Sequence, residues 1–566
     1  MTISLSAGLT RLKPRKILII ILLTWFLINL VQALFTEILS DEAYYGMYGR
    51  YLAWGYFDHP PMVALLIRIS SLFFTGNLGI RFMTVLLQIA TLIIIWKTIV
   101  IREPDNVTII TYFIVAASIC MFAAYGILAT PDAPLLFFTA LFLYSYRKFL
   151  EKRSWPVALL LSISMAGLIY SKYQAVLVIG ILVLSDLRLL RSFKFWIAGI
   201  FAITLLIPHI RWQFVNHFPS LQYHLIDRSE EFRWVYLLEY FPNQMAVFNP
   251  FTLWAAGWVL VKHKPADRFS RALYFQIIGF IGFFLLMAFR GHVEPHWTTA
   301  CSIPMIILIT RKSRTDEKLF KYTRRYILPS IGLLIIIRIF IMIDSGFNRY
   351  LGYSGKDKKY KAIEEVAGDL PVIFHGSFQK PSLYMFFTGR NATVISSVYS
   401  RQTQFDIWQF DTLYNNKPAF VCVPANNSQA YNTGWLQFRG FFTDSLQTVC
   451  RIKIYYSLND NLFHPGDTVR IPFDIRNTYG YEINFDNRVF PAEVCLILLK
   501  GEEPDVFHVT LSSPLDKIPG VSDVKRELSF VVPDLPPGRY HLGITLNTIF
   551  GPSFNSDFSK IIIEND

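Results

Sequence analysis

The chain reads as a polytopic α-helical membrane protein with a water-soluble C-terminal tail. Three observations carry that reading. Of 566 residues, 53% are hydrophobic and only 17% are charged, an apolar excess over ordinary soluble domains. The excess is concentrated in long runs that thin out after about Met342. Lys and Arg, in turn, gather in the short segments between alternate runs, as they do in cytoplasmic loops. A net charge of +13 would suggest nucleic acid in a soluble protein. Here topology accounts for it, and no nucleic-acid partner is expected.

The runs predict about eleven spans, at 17–35, 78–100, 107–124, 133–150, 156–170, 175–190, 195–211, 240–261, 272–289, 298–310 and 326–343. The first follows MTISLSAGLTRLKPRK, and no small-residue cleavage site comes after it. It is therefore expected to be retained rather than removed as a signal peptide. Segments 11–16, 147–153, 186–194, 262–271 and 311–325 are dense in Lys and Arg, which predicts a cytoplasmic position. The alternate set holds SDEAYY, ATPDAP (129–134), SKYQ (171–174), the segment 212–239 and RGHVEPHW (290–297). These face the other side, and so does the tail after Asp344. One run, PPMVALLIRISSLFF (60–74), carries Arg68 near its middle. As a span it would invert every later loop, so an amphipathic helix on the outer face is expected.

The tail divides into two expected units, giving domains at 1–345, 346–455 and 456–566. In the second, KKYKAIEEVA predicts a helix, while LPVIFHG, NATVISSV and KPAFVCVP predict short buried strands of an α/β domain. In the third, DTVRIPFDIRN, EVCLILLKG, KRELSFVVPD and GRYHLGITLN alternate with Pro- and Gly-rich turns, which predicts an immunoglobulin-like β-sandwich. Neither unit shows a catalytic constellation. The five cysteines lack metal-site spacing, and Cys422, Cys450 and Cys495 leave room for one disulfide.

The candidate chemistry lies at the outer ends of the spans. Asp41 and Glu42 follow the first span, Asp132 follows the third and Glu294 and His296 follow the ninth. Carboxylates at this depth are expensive, and several on one face point to a site. All are expected in irregular, Pro- and aromatic-rich sequence. Cations accompany them: Arg81 opens the second span, Lys172 sits alone in a very short outer loop, Arg211 ends the seventh span and His59 adjoins Asp58. Snorkelling to the interface is the plain account of such cations. Gathered beside carboxylates, they suit a lipid-linked phosphate, whose departure from a sugar needs charge stabilisation and a base for the acceptor. No acid is needed to protonate the leaving group, in contrast to a glycosidase.

Five segments together carry a family likeness: SDEAYY, GYFDHPPMVALLIR, ATPDAPLLFF, GLIYSKYQAVLV and RGHVEPHWTTACSIP. PHIRWQFVNHFPSLQY and FPNQMAVFNP add to it. Over about the first 340 residues the chain resembles the dolichyl-phosphate-mannose–protein mannosyltransferase-like branch of the GT-C glycosyltransferases, which includes bacterial aminoarabinose–lipid A transferases. The resemblance implies an inverting membrane glycosyltransferase with a polyprenyl-phosphate sugar donor and a lipid, glycan or protein acceptor. It implies an inner-membrane protein, with the N-terminus cytoplasmic and the C-terminal domains periplasmic. Asp41, Glu42 and Asp132 match the family's acidic motifs, with Asp41 as general base. His59, Lys172 and Arg81 are the expected donor-phosphate contacts, and Asp58, Tyr44, Glu294, His296 and Trp297 the expected substrate side. Aminoarabinose transferases carry Lys where this chain has His59. That is a departure, because imidazole is only partly charged at neutral pH, and Lys172 and Arg81 are positioned to compensate. Asp58, His59 and Glu294 are metal-ligand types without diagnostic spacing, so no metal or cofactor is expected to be required. The β-sandwich has no counterpart in that likeness and reads as a packing or docking module. A transporter of lipid-linked sugar is the alternative. It would favour internal repeats and midplane charges, neither of which the sequence shows. A scaffold would need only one span.

Overall fold

The computed structural model describes residues 12–99, 105–223, 232–425, 428–433, 436–500 and 504–564. Most of the expected cytoplasmic N-terminal segment, and residues 224–231 of the expected outer segment, lie outside them. The chain forms two compact units, Met1–Gly355 and Lys356–Asp566.

The first unit is helical. Its opening elements are α1 (Pro14–Phe35), α2 (Ser40–Arg50), α3 (Met62–Ser71), α4 (Gly76–Ile99), α5 (Asn106–Ser118), α6 (Cys120–Ala124), α7 (Asp132–Glu151), α8 (Trp155–Ser171), α9 (Ala175–Ser185) and α10 (Phe193–Val215). Pro14 opens α1, where a missing N–H costs nothing. Among the described residues, α1, α4, α10 and Arg268–Met287 have the length and apolar character to cross a bilayer. Trp234–Phe248 and Pro250–Lys262 make a fifth span if taken together. The shorter helices α5, α8 and α9 are apolar as well. A shared core that includes Leu92, Tyr112, Leu143, Leu182, Leu273 and Ile306 joins these elements. The short helix α3 buries Val63, Ala64, Ile67 and Ser70 and leaves Leu65 and Arg68 exposed.

Several expected boundaries are revised. The expected span 107–124 divides at Ile119, whose backbone is extended, into α5 and α6. The expected span 240–261 is two helices bent by 97°. The break falls at Asn249, φ 69°, because the residue before a proline is pushed out of helical geometry. The expected span 298–310 begins inside a 3₁₀ turn, Pro295–Cys301, that continues as Ser302–Ser313. Asp41, Glu42 and Asp132 do not lie in irregular sequence. They occupy the first turns of α2 and α7, where carboxylates face the positive end of the helix dipole.

The unit boundary falls after the expected residue 345. Asn348 donates to the carbonyls of Phe340 and Ile343, at 2.7 and 2.6 Å, and so keeps the helix Gly346–Tyr350 with the membrane unit. The second unit then holds both expected tail domains in one body. Tyr479 donates to Asp411 at 3.3 Å and the Val398 N–H to the Pro552 carbonyl at 2.8 Å, tying the two parts together.

Its α/β part contains β1 (Val372–His375), β2 (Ala392–Ile395), β3 (Ala419–Cys422), β4 (Gln429–Thr433) and β5 (Leu436–Thr443), in sheet order β2-β1-β3-β5-β4. β1 runs parallel to β2 and β3, and β5 is antiparallel to β3. The all-β part stacks two antiparallel-rich sheets over a core that includes Ile454, Phe473, Ile475, Leu496, Leu542 and Ile544. Alternate residues of the strand Thr468–Asn477 point inward, as a sheet with one wet face requires. The cysteines are all free thiols, so the room for a disulfide is not used.

Candidate active site

The site begins where α1 ends. Arg81, on α4, donates to the carbonyls of Ala33, Thr36 and Glu37 at 3.3, 2.6 and 3.1 Å. It thereby satisfies carbonyls at the C-terminus of α1 that have no partner within the helix. The same guanidinium forms a two-bond pair with Glu42. Both side chains are fully buried. Glu42 also accepts from the backbone N–H of Leu39, at 3.2 Å, and of Ala129, at 3.0 Å. One ion pair therefore ties α1, α2, α4 and the loop before α7.

That arrangement corrects two expectations. Arg81 has no exposed surface with which to touch a lipid phosphate, and Glu42 none with which to touch an acceptor. Both are spent on holding α1, α2, α4 and the loop before α7 together. Tyr44 is corrected likewise. It is buried in a ring cluster, 4.7 Å from Tyr48 between centroids, and presents no face to a substrate.

The loop before α7 is also held through the end of α6. Gln88 of α4 donates to the carbonyl of Phe122 at 2.6 Å and accepts from Trp25 at 2.9 Å. Asn29 donates to the Gly126 carbonyl at 3.4 Å. Arg338 completes the network by donating to Asn29 at 2.6 Å and to Gln32. A Cβ on Gly126 would lie 1.6 Å from Gln88 Oε1, so only glycine lets the loop approach this closely.

The loop delivers Asp132 to Lys172. The ammonium donates to both carboxylate oxygens, at 2.8 and 2.9 Å, and each side chain is at most 6% exposed. Lys172 caps α8 and stands in the three-residue gap before α9. The neighbouring Tyr173 is held by Gln213, which donates to its hydroxyl at 2.6 Å and to Ser220 at 2.8 Å. His209 lies 3.3 Å from the same hydroxyl and 2.6 Å from the Trp54 carbonyl. This chain of bonds braces the short loop against the segment that carries Asp58 and His59.

Asp58 is 4% exposed and accepts from Tyr48 at 2.6 Å. Tyr48 in turn stacks on Tyr56, with rings 3.9 Å apart and 3° from parallel. The His59 ring meets Tyr45 edge-on at 5.5 Å. Tyr45 shows how the carboxylates converge. Its hydroxyl is pushed well above the usual phenol range by burial, and further by the charges of Asp58, Asp41 and Asp132. Tyr125 is raised the same way by burial, then by Asp132, Glu294 and Asp41. Four carboxylates from four chain segments therefore surround two phenols, and Asp41 is the exposed one at a helix end. Glu294 is half-buried, 3.9 Å from His292. Trp297 packs on Phe284 at 5.6 Å, and His296 uses its carbonyl to accept from Thr299.

Among the described residues, Asp58, His59 and Glu294 do not form a three-ligand cluster; Glu493, Cys495 and His508 of the sandwich do, with ligand atoms within 4.8 Å of one another. Tyr45, Tyr125, Gln88 and His209 escaped the sequence reading. For Gln88 and His209 a signal existed, since each is a polar side chain inside an apolar run, where such residues are costly and usually bonded.

The site thus gathers acids and a cation near the ends of helices in a bundle that holds several long apolar helices. Residues 58–212 match the family described as dolichyl-phosphate-mannose-protein mannosyltransferase. A curated relative, the lipid A galacturonosyltransferase RgtD of Rhizobium johnstonii, is 26% identical over 278 residues, covering 45% of this chain and 57% of that protein. The chain thus matches little more than half the length of that relative. The crystal structure of ArnT from Cupriavidus metallidurans bound to undecaprenyl phosphate superposes with a TM-score of 0.58 at 12% identity, over 75% of this chain and 97% of that one. Its apo form gives 0.53 over the same shares. The fold is shared, and the chain is similar to the GT-C, ArnT-like bacterial glycosyltransferases.

Proposed function

We propose that the protein is an inverting glycosyltransferase that moves a sugar from a polyprenyl phosphate to an acceptor at the periplasmic face of the inner membrane. One observation carries the reading: Asp41, Asp58, Asp132 and Glu294 surround Tyr45 and Tyr125 beside the Lys172–Asp132 pair. Asp41 is the exposed carboxylate and takes the acceptor proton. Lys172 turns one of its hydrogens from Asp132 to the lipid phosphate, and His59 adds a second donor. Together they stabilise the charge that grows on the departing phosphate. The Lys172 ammonium supplies the positive charge that a metal would otherwise bring, so a required metal is not part of the reading. The likeness to a lipid A galacturonosyltransferase favours a lipid acceptor. The ArnT structure with undecaprenyl phosphate favours a polyprenyl donor.

The direct test incubates the purified protein with a panel of polyprenyl-phosphate sugars and candidate acceptors, and follows release of free lipid phosphate by mass spectrometry. No release with any pair would reject the reading. Lys172→Ala is expected to weaken donor binding by about tenfold or more, the scale of a lost charge-assisted bond, while acceptor binding changes little. Equal losses for both would remove the phosphate contact from the scheme.

Orientation has its own test. Trp54 is 58% exposed beside the site. A Trp54→Cys variant should react with an impermeant maleimide in spheroplasts, and not in inside-out vesicles alone. Labelling from the cytoplasmic side would place the site on the wrong leaflet.

A further inference from the structure

The second unit brings two lysines to the edge where open α/β sheets bind ligands. β1 lies between β2 and β3. The chain leaves β1 through the helix Gln379–Thr388 to reach β2, then returns to the far side of β1 as β3. The strand order therefore reverses at β1 and β3, and ligands of such sheets sit beyond the carboxyl ends of the strands at that point.

Chemistry-bearing side chains meet at this edge. His375 ends β1, and Cys422 ends β3 opposite Phe374. Lys359, from the helix Lys356–Ala367, and Lys380, from the first turn of Gln379–Thr388, are electrostatic neighbours of each other and of Cys422. Lys380 also acts on His375. Among the described residues neither lysine has a carboxylate partner. Lys359 is half-buried, and its ammonium is held below the usual lysine range by that burial, then by Lys380. The His375 imidazole is lowered too, by burial first, and its Nδ1 is buried without a hydrogen-bond partner. The Cys422 thiol is pushed up to about 11 by burial, so it supplies no negative charge near neutral pH. Lys380 is exposed and Lys359 half-buried, and two like charges side by side, with no carboxylate partner among the described residues, favour the arrival of an anion. The turn after β1 passes through Gly376, φ +98°, and the helix that follows has no side-chain cap on its N-terminus. The N–H groups of Gln379 and Lys380, ahead of Pro381, add donors to the same edge.

We propose that this sheet edge is a phosphate-binding site, with Lys359 and Lys380 as its charged contacts. Two lysines and a helix N-terminus match the charge and oxygen count of a phosphate group better than those of a single carboxylate. The site is independent of the membrane-embedded acids, and stands or falls without them.

Lys359 reports on it directly. The full-length protein in detergent would be acetylated with a water-soluble N-hydroxysuccinimide ester, and each lysine followed by peptide mass spectrometry. Inorganic phosphate, against chloride of equal ionic strength, should slow acetylation of Lys359 by about threefold, the change expected at roughly two-thirds occupancy. Exposed Lys525 serves as the unaffected control. The same protection should appear in Lys172→Ala, which separates this site from the membrane one, and should largely vanish in Lys380→Ala. A second arm compares nanodiscs of phosphatidic acid with nanodiscs of phosphatidylcholine. Protection by inorganic phosphate assigns a free phosphate group, and protection in phosphatidic acid alone assigns a lipid headgroup. Unchanged Lys359 reactivity in both arms, or protection that survives intact in Lys380→Ala, overturns the proposal.

Discussion

Asp41→Asn is expected to lower turnover by about two to four orders of magnitude, the range a general base contributes, while leaving the protein folded. The two halves of that expectation have separate origins. The amide keeps the size and hydrogen-bonding reach of the carboxylate but cannot accept a proton near neutral pH. Asp41 is exposed in the first turn of α2, where losing a charge at a helix N-terminus costs about 0.3–1 kcal/mol. Thermal melting in detergent should therefore stay close to that of the parent protein. The measurement is lipid-phosphate release under saturating donor, by mass spectrometry, beside the melting curve. Near-normal release by a well-folded variant would remove Asp41 from the role of base. The proton would then have to go to Asp58, Asp132 or Glu294.

Arg81→Ala should do the opposite, costing stability of about 3–5 kcal/mol, as breaking one side of a buried ion pair does. The loss leaves Glu42 charged and buried without its partner. It also strips donors from the carbonyls of Ala33, Thr36 and Glu37 at the end of α1. Arg81→Lys should rescue little, since an ammonium cannot span Glu42 and three carbonyls as the planar fork does. The double variant Arg81→Met, Glu42→Leu should be milder than either single truncation, because no lone charge remains. The yield of monodisperse protein on size-exclusion chromatography and the melting temperature would both report it. A single Arg81→Ala variant with the parent's melting temperature would show that the pair does not hold the four segments together.

The contrast between neighbours at 41 and 42 shows how far sequence can reach. Both acids follow the first span and both match the same motif. Their surroundings part because α2 is a helix: successive residues point about 100° apart, so Asp41 is exposed while Glu42 is buried against Arg81 of α4. Arg81 looked like a phosphate contact for the same reason that Lys172 did, as a cation at the outer end of an apolar run. Only the packing of α4 against α1 shows that its donors are already taken. Tyr44 fell among expected substrate contacts because aromatic residues favour the interface, yet the fold encloses it in a ring cluster. Asn249 and Pro250, by contrast, stood in plain view, and the 97° bend follows from a local rule that a span count based on hydropathy passes over.

Composition and charge alternation alone predicted a helical bundle rich in apolar spans with a separate C-terminal tail, and motif order alone pointed to the GT-C likeness. Those properties are written one residue or one segment at a time: apolar length, basic loops, strand-like alternation in the tail. Tertiary structure decided which acid is exposed and which pairs with a cation: Asp41 stays open at a helix end, Asp132 pairs with Lys172, and Glu42 pairs with Arg81 to hold helices together. It also brought Lys359 and Lys380 to one sheet edge. The reason is that a charge's role depends on its nearest opposite charge and on its distance from water, and both are set by segments far apart in the chain.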